Sequence, residues 1–221
     1  MKLDVKICGL STPETLDAAV RGGARFVGFV FYPRSPRNVD PERARALARA
    51  VPEGVTKVGV VVDPADSALA AIGPAVDMLQ LHGEESPARV AEIRARLELP
   101  VMKVIKVAKA VDLEKAAPYS DVADWLMFDA KPPPNHVDAL PGGNAVAFDW
   151  KILSQATSGD DPARGRPWML SGGLNLDNLA EAAEISGASV VDVSSGVEEK
   201  LGEKSVERIR AFLEAAGAAR T

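Results

Sequence analysis

Residues 4–31, DVKICGLSTPETLDAAVRGGARFVGFVF, decide the fold. DVKIC and RFVGFVF are short apolar, β-branched runs, and PETLDAAVRGG between them has a helical pattern. Thr12 before Pro13 is a helix start signal, a capping hydroxyl ahead of a first-turn proline. Strand, helix and strand in this order imply parallel strands joined by a crossover. An open doubly wound sheet usually announces a dinucleotide site with G-x-G-x-x-G after its first strand. Here CGLSTPET follows instead, which favours a closed barrel if the rest of the chain supplies the repeats.

It does supply them. TKVGVVV, DMLQLHG, PVMKVIKV, DWLMFDA, RPWMLSG and SVVDVSSG bring the strand candidates to eight. PERARALARAV, SPARVAEIRARL, NLDNLAEAAEIS and SVERIRAFLEAA read as helices, and Asp40-Pro41 and Ser86-Pro87 repeat the start signal. The segments after strands three and five are weaker; ADSALAAIGPAV is short and broken by Gly73-Pro74. Eight strand–helix units are the count for an α/β chain of the (β/α)8 TIM barrel class. No linker or shift in composition marks a second domain, so residues 1–221 are expected to form a single domain. The longest irregular stretch, KPPPNHVDALPGGNAVAF at 131–148, follows strand six, and loops of that length are usually functional or mobile.

Composition narrows the classes of function. Hydrophobic residues at 47% and charged residues at 26% suit a soluble globular protein with a sizeable core. A net charge of −5 carries no nucleic-acid footprint. A single cysteine cannot form an internal disulfide. No apolar stretch approaches the roughly 18 residues of a membrane span, and Lys2, Asp4 and Lys6 leave no apolar signal region. These features lead to the expectation of a cytoplasmic protein with neither membrane nor nucleic acid as partner. A zinc site would have to gather Cys8, His82 and His136 from distant positions, so no metal is expected.

Side chains alternate faces along a strand. In strands one, four, six and eight an apolar set (Val5, Ile7; Leu79, Leu81; Leu126, Phe128; Val191, Val193) alternates with a largely polar one. The apolar sets suit contact with the helices, so Lys6, Cys8, Gln80, His82, Asp129, Asp192 and Ser194 should face the barrel interior. A lone cysteine is ordinarily a small buried hydrophobe, and a single strand-end aspartate ordinarily caps the next helix. Cys8, His82, Asp129 and Ser194 together, each at a strand's C-terminal end, mark the face where barrel enzymes build active sites. LSGGLNLDN and DVSSGVE, after strands seven and eight, carry the glycines and small hydroxyls that admit an anion to backbone N–H groups. In FYPRSPRNV, Arg34 and Arg37 are either solvated loop charge or guanidinium groups for a carboxylate.

In order along the chain, KICGL, FVFYPRSPRNV, LQLHG, VIKV, LMFDA, GGNAVAFDW, LSGGLNLDN and VDVSSGVE resemble the phosphoribosylanthranilate isomerase family of tryptophan biosynthesis. The resemblance implies a cofactor-free barrel that binds a small phosphosugar, as a monomer or homodimer. It implies conversion of N-(5-phosphoribosyl)anthranilate to 1-(2-carboxyphenylamino)-1-deoxyribulose 5-phosphate, an Amadori rearrangement. Matched position by position, the family's general base falls on Cys8, its general acid on Asp129 and its anthranilate-carboxylate arginine on Arg37. Its phosphate-binding backbone falls on Gly172, Gly173, Ser194, Ser195 and Gly196, with Asp192 beside the sugar; His82, from its place at the end of strand four, is expected to join the substrate-binding residues. Lys6, on the strand face of Cys8, is expected to favour the thiolate. The departure is GGNA, where many members have Gly-Gly-Thr-Gly. The alternatives are another phosphosugar isomerase or synthase on the same barrel, or a non-catalytic phosphometabolite-binding barrel.

Overall fold

A computed structural model describes residues 3–132, 142–143, 147–156, 161, 163 and 165–219. Its strands are β1 (Asp4–Cys8), β2 (Phe26–Phe31), β3 (Thr56–Val61), β4 (Met78–Leu81), β5 (Val101–Val107), β6 (Trp125–Ala130), β7 (Trp168–Leu170) and β8 (Val190–Val193). Each pairs in parallel with the next, and β8 returns to β1, so the barrel closes as the eight repeats require. Lys6 consequently lies between Phe26 of β2 and Asp192 of β8.

The helices α1 (Pro13–Arg21), α2 (Pro41–Ala48) and α4 (Pro87–Leu97) start where the cap-proline signals place them. Side chains of Thr12, Asp40 and Ser86 accept from the backbone N–H of Thr15, Arg43 and Arg89, satisfying donors that have no partner within the helix. The two weak segments are indeed the irregular ones. After β3, α3 (Asp66–Ile72) gives way to a 3-10 turn at Gly73–Ala75, and a 3-10 helix at Ala110–Tyr119 stands after β5. After β6 and β7 come α5 (Lys151–Ala156) and α6 (Leu179–Ser186). The last of these starts four residues later than the NLDN pattern suggests. Asn175 N–H donates to Asn178 Oδ1 at 2.8 Å and Asn178 N–H to Asn175 Oδ1 at 3.2 Å. Those side-chain bonds hold a turn in place of a first helical turn.

A feature absent from the sequence reading lies between β8 and α7 (Val206–Ala218). After a 3-10 turn at Ser195–Val197, strands β9 (Glu198–Lys200) and β10 (Glu203–Lys204) form a small antiparallel hairpin.

The strand faces divide as their alternation requires. Val5, Ile7, Leu79, Leu81, Leu126, Phe128, Val191 and Val193 join the large core between barrel and helices. Inside the barrel, Phe26, Val58, Val104, Val190 and four methionines (Met78, Met102, Met127 and Met169) form a separate apolar cluster. The flexible thioether chains fill the irregular interior. Lys103 breaks the pattern: it shares the outward face of β5 with Val101 and Ile105, and its ammonium pairs with buried Glu85 at 2.6 Å. Among the described residues no helix is long and apolar enough to cross a membrane.

Candidate active site

Above the methionine cluster the inward-facing residues turn polar, and a cleft of about 780 Å³, counting its open mouth, lies there. Cys8, Arg37, His82, Asp129, Gly172, Gly173, Asp192, Ser194 and Ser195 all line it, joining residues from β1, β6 and β8 with the segments that follow β2, β4, β7 and β8. Gly196 stays behind the lining, packed against Leu174 and Asn175. Arg34 is exposed, whereas Arg37 is 3% exposed, so the two loop arginines part company. His136 lies outside the described residues, and among those described no group of three or more His, Cys, Asp and Glu side chains could hold a metal ion.

The thiol sits over a buried ion pair. Lys6 Nζ donates to Asp192 Oδ1 at 2.7 Å, and Ser171 Oγ donates to Asp192 Oδ2 at 3.0 Å. A Cβ on Gly28 would stand 3.0 Å from Cys8 Sγ and 3.2 Å from Lys6 Cε, so the bare backbone of β2 leaves room for both. Burial would lower the Lys6 pKa, but Asp192 and then Cys8 outweigh it and hold the ammonium above its ordinary value. Burial pushes the Cys8 thiol up; Lys6 opposes this and Asp192 adds to it. Lys6 thus acts in the expected direction, yet desolvation wins and the resting thiol is held protonated.

Asp129 Oδ2 lies 3.1 Å from His82 Nε2, and His82 Nδ1 lies 3.3 Å from the Gln80 amide nitrogen, all three side chains being buried. With the amide donating to Nδ1, the imidazole carries its proton on Nε2 and offers it to Asp129. The sixth loop covers this line: a Cβ on Gly142 would stand 2.6 Å from His82 Cε1, and one on Gly143 2.5 Å from Arg37 Nη1. The two glycines of GGNA thus let the loop lie directly over these side chains, Gly143 with a positive φ of 75° that also favours glycine, while Asn144 and Ala145 lie outside the described residues.

Arg37 does not stand free. Its Nε donates to Glu198 Oε1 at 2.6 Å and its Nη2 to Glu198 Oε2 at 2.8 Å. Lys204 pairs with the same carboxylate and donates to Ser194 O and Oγ at 3.1 and 3.2 Å. Burial would raise the Glu198 pKa, but Arg37 and Lys204 hold it below the usual carboxylate value. Burial draws Lys204 below its ordinary value, against the pull of Glu198. Glu198 and Lys204 were missed from sequence because a charged turn normally reads as solvated; the only signal was Gly202 between two charged pairs in EEKLGEK.

Behind the last two loops, Asn178 Nδ2 donates to the Gly173 carbonyl at 3.0 Å and Ser194 Oγ to the Cys8 carbonyl at 3.2 Å. These bonds tie the glycine turn to the start of α6 and the serine turn to β1. Crystals grown with sulfate are expected to place the anion against the backbone at Gly173 and Ser195. Anion density only at exposed Arg34, with these two loops empty, would count against the phosphate reading.

The family model for N-(5'phosphoribosyl)anthranilate (PRA) isomerase matches residues 5–215. N-(5'-phosphoribosyl)anthranilate isomerase of Paramagnetospirillum magneticum is 53% identical over 218 residues, covering 98% of each chain. The Rhodospirillum centenum protein of the same name is 53% identical over 220 residues, covering 99% of this chain and 100% of its own. Among solved structures, phosphoribosyl anthranilate isomerase from Thermotoga maritima superposes with a TM-score of 0.84 at 33% identity, covering 98% of this chain and 99% of that one. A phosphoribosyl anthranilate isomerase in complex with reduced 1-(o-carboxyphenylamino)-1-deoxyribulose 5-phosphate superposes at 0.82 with 32% identity and the same coverage.

Proposed function

The chain belongs to the N-(5'-phosphoribosyl)anthranilate isomerase family, and we propose that it performs this isomerisation with Cys8 as general base and Asp129 as general acid. It is an isomerase of tryptophan biosynthesis. One observation carries the assignment of roles. A buried thiol on β1 and a buried, histidine-bonded carboxylate on β6 share one cleft, with a buried guanidinium and two small-residue loops at its margins.

The proton inventory closes with these two groups. Asp129 gives a proton to the furanose ring oxygen as the C1–O bond breaks, and the anilino nitrogen forms an iminium with C1. That cation acidifies the C2 hydrogen, which passes to the Cys8 thiolate to give the enolamine. Ketonisation then removes the proton from the C2 hydroxyl and adds one at C1. The first of these can restore Asp129 and the second can come from the Cys8 thiol, so the active form, with Cys8 as thiolate and Asp129 as carboxylic acid, is regenerated. Asp192, lining the cleft beside Lys6, suits the sugar hydroxyls, and the loops after β7 and β8 suit the phosphate.

Arg37 is read as the partner of the anthranilate carboxylate. With purified protein, loss of phosphoribosylanthranilate fluorescence should report turnover, and Arg37→Ala should lower kcat/KM by the roughly 1.5–3 kcal/mol of a charge-assisted pair. An unchanged kcat/KM would return Arg37 to a purely structural partner of Glu198. No loss of fluorescence with the unaltered protein would end the proposal as a whole.

A further inference from the structure

Two cations and one anion are packed together behind the cleft. The side chains of Arg37 and Glu198 are each 4% exposed and that of Lys204 is 1% exposed. Their charges sum to one uncompensated positive charge away from water, an arrangement that is costly unless a ligand anion completes it. Their geometry says where that anion would come. Glu198 occupies the side of the guanidinium formed by Nε and Nη2. Arg37 lines the cleft whereas Glu198 and Lys204 do not, so the end formed by Nη1 and Nη2 is the edge turned to a ligand; its one present partner there among the described residues is the Gly143 carbonyl, 3.4 Å from Nη2, a long contact that an entering carboxylate would replace. That edge lies under Gly143, whose missing side chain would otherwise meet Nη1.

We propose that the hairpin pair Glu198–Lys204 sets specificity for a carboxylated aryl amine: Glu198 orients Arg37 to receive the carboxylate end-on, and Lys204 supplies the charge it neutralises. The proposal rests on Arg37 being the carboxylate partner. Glu198 and Lys204 are positioning residues, acting on the substrate through the guanidinium. Without Lys204, Arg37 and Glu198 form a self-neutralised pair that offers little net attraction. Without Glu198, two buried cations face each other and Arg37 loses the fork that fixes its plane. The hairpin is thus a functional part of the site, and its charged sequence is retained in the interior for that reason.

The test compares kcat/KM for phosphoribosylanthranilate with that for N-(5-phosphoribosyl)aniline, which lacks only the carboxylate. The ratio of the two isolates recognition of the carboxylate, because damage to the fold or to the phosphate loop lowers both alike. Lys204→Met should reduce this ratio roughly ten- to hundredfold, while Lys204→Arg, which keeps the charge, should largely retain it. An equal loss for both substrates in Lys204→Met would assign the charge to the phosphate loop and overturn the proposal. Arg37→Ala separates the two levels. If it collapses the ratio while Lys204→Met does not, the arginine assignment stands and the present proposal fails; if it leaves the ratio intact, the assignment beneath it fails. A crystal of the unaltered protein with reduced 1-(o-carboxyphenylamino)-1-deoxyribulose 5-phosphate gives an answer independent of variants. Its carboxylate should lie on Nη1 and Nη2 with Glu198 still on Nε; a carboxylate that displaces Glu198 would refute the end-on arrangement.

Discussion

Cys8→Ser is expected to leave a folded barrel whose turnover has fallen by at least about 10² to 10⁴, the usual worth of a general base. The side chain is buried beside Val30 and Val60 with Tyr32 at their edge, and serine differs from it by one atom, so packing should survive. The chemistry should not. Burial and Asp192 already push the thiol up, and the same surroundings push a hydroxyl, intrinsically a far weaker acid, further from ionisation. The sign of the pH dependence follows. Because the base works deprotonated and its pKa is raised, the ratio of kcat/KM between the unaltered enzyme and Cys8→Ser, in which the shared need for a protonated Asp129 cancels, should climb with pH through and above the ordinary thiol range. A ratio that stays flat across that range would count against the thiolate. Substrate deuterated at C2 gives the second readout: a variant with residual activity should show a primary isotope effect, since carbon deprotonation then limits the rate. Full activity in folded Cys8→Ser would remove Cys8 from the mechanism.

The barrel was legible because its signals are local and repeated. Each helix start at Thr12-Pro13, Asp40-Pro41 and Ser86-Pro87 is a capping event decided within four residues, and each strand carries its own alternation. The inward direction of Cys8, His82, Asp129 and Asp192 followed from the apolar residues between them. What the sequence could not carry were pairings between distant charges. Arg37 meets Glu198 across 161 positions and Lys6 meets Asp192 across 186. No local pattern distinguishes those residues from solvated ones, and only closure of the barrel brings them together. The same holds for the balance at Cys8. Lys6 on the same face was readable, but the desolvation that overrides it depends on how completely β2 and the loops enclose the thiol. Strands β9 and β10 are three and two residues long, too short for alternation to register.

Asp129→Asn should be as damaging as the loss of the thiol, for a different reason. Asparagine keeps the size of the side chain, and its carbonyl oxygen can accept the proton that His82 Nε2 offers across the present 3.1 Å contact. Fold and orientation should therefore persist, and substrate binding through the phosphate loops and Arg37 should change little. The amide cannot donate a proton to the ring oxygen at any pH near neutrality, so ring opening should slow by about 10² to 10⁴. The loss should appear in kcat more than in KM. Its isotope signature should differ from that of the cysteine variants: with ring opening limiting, deuterium at C2 is transferred after the slow step and its effect shrinks. Because the two groups serve successive steps of one reaction, the double variant Cys8→Ser with Asp129→Asn should be little slower than the poorer single variant. Multiplied losses in the double variant would mean that the thiol and the carboxylate act independently, and folded Asp129→Asn with full activity would mean that the proton reaches the ring oxygen from elsewhere. His82→Asn then distinguishes orientation from proton supply. If the imidazole only steadies Asp129, the loss should fall well short of that in Asp129→Asn and leave the shape of the pH profile unchanged.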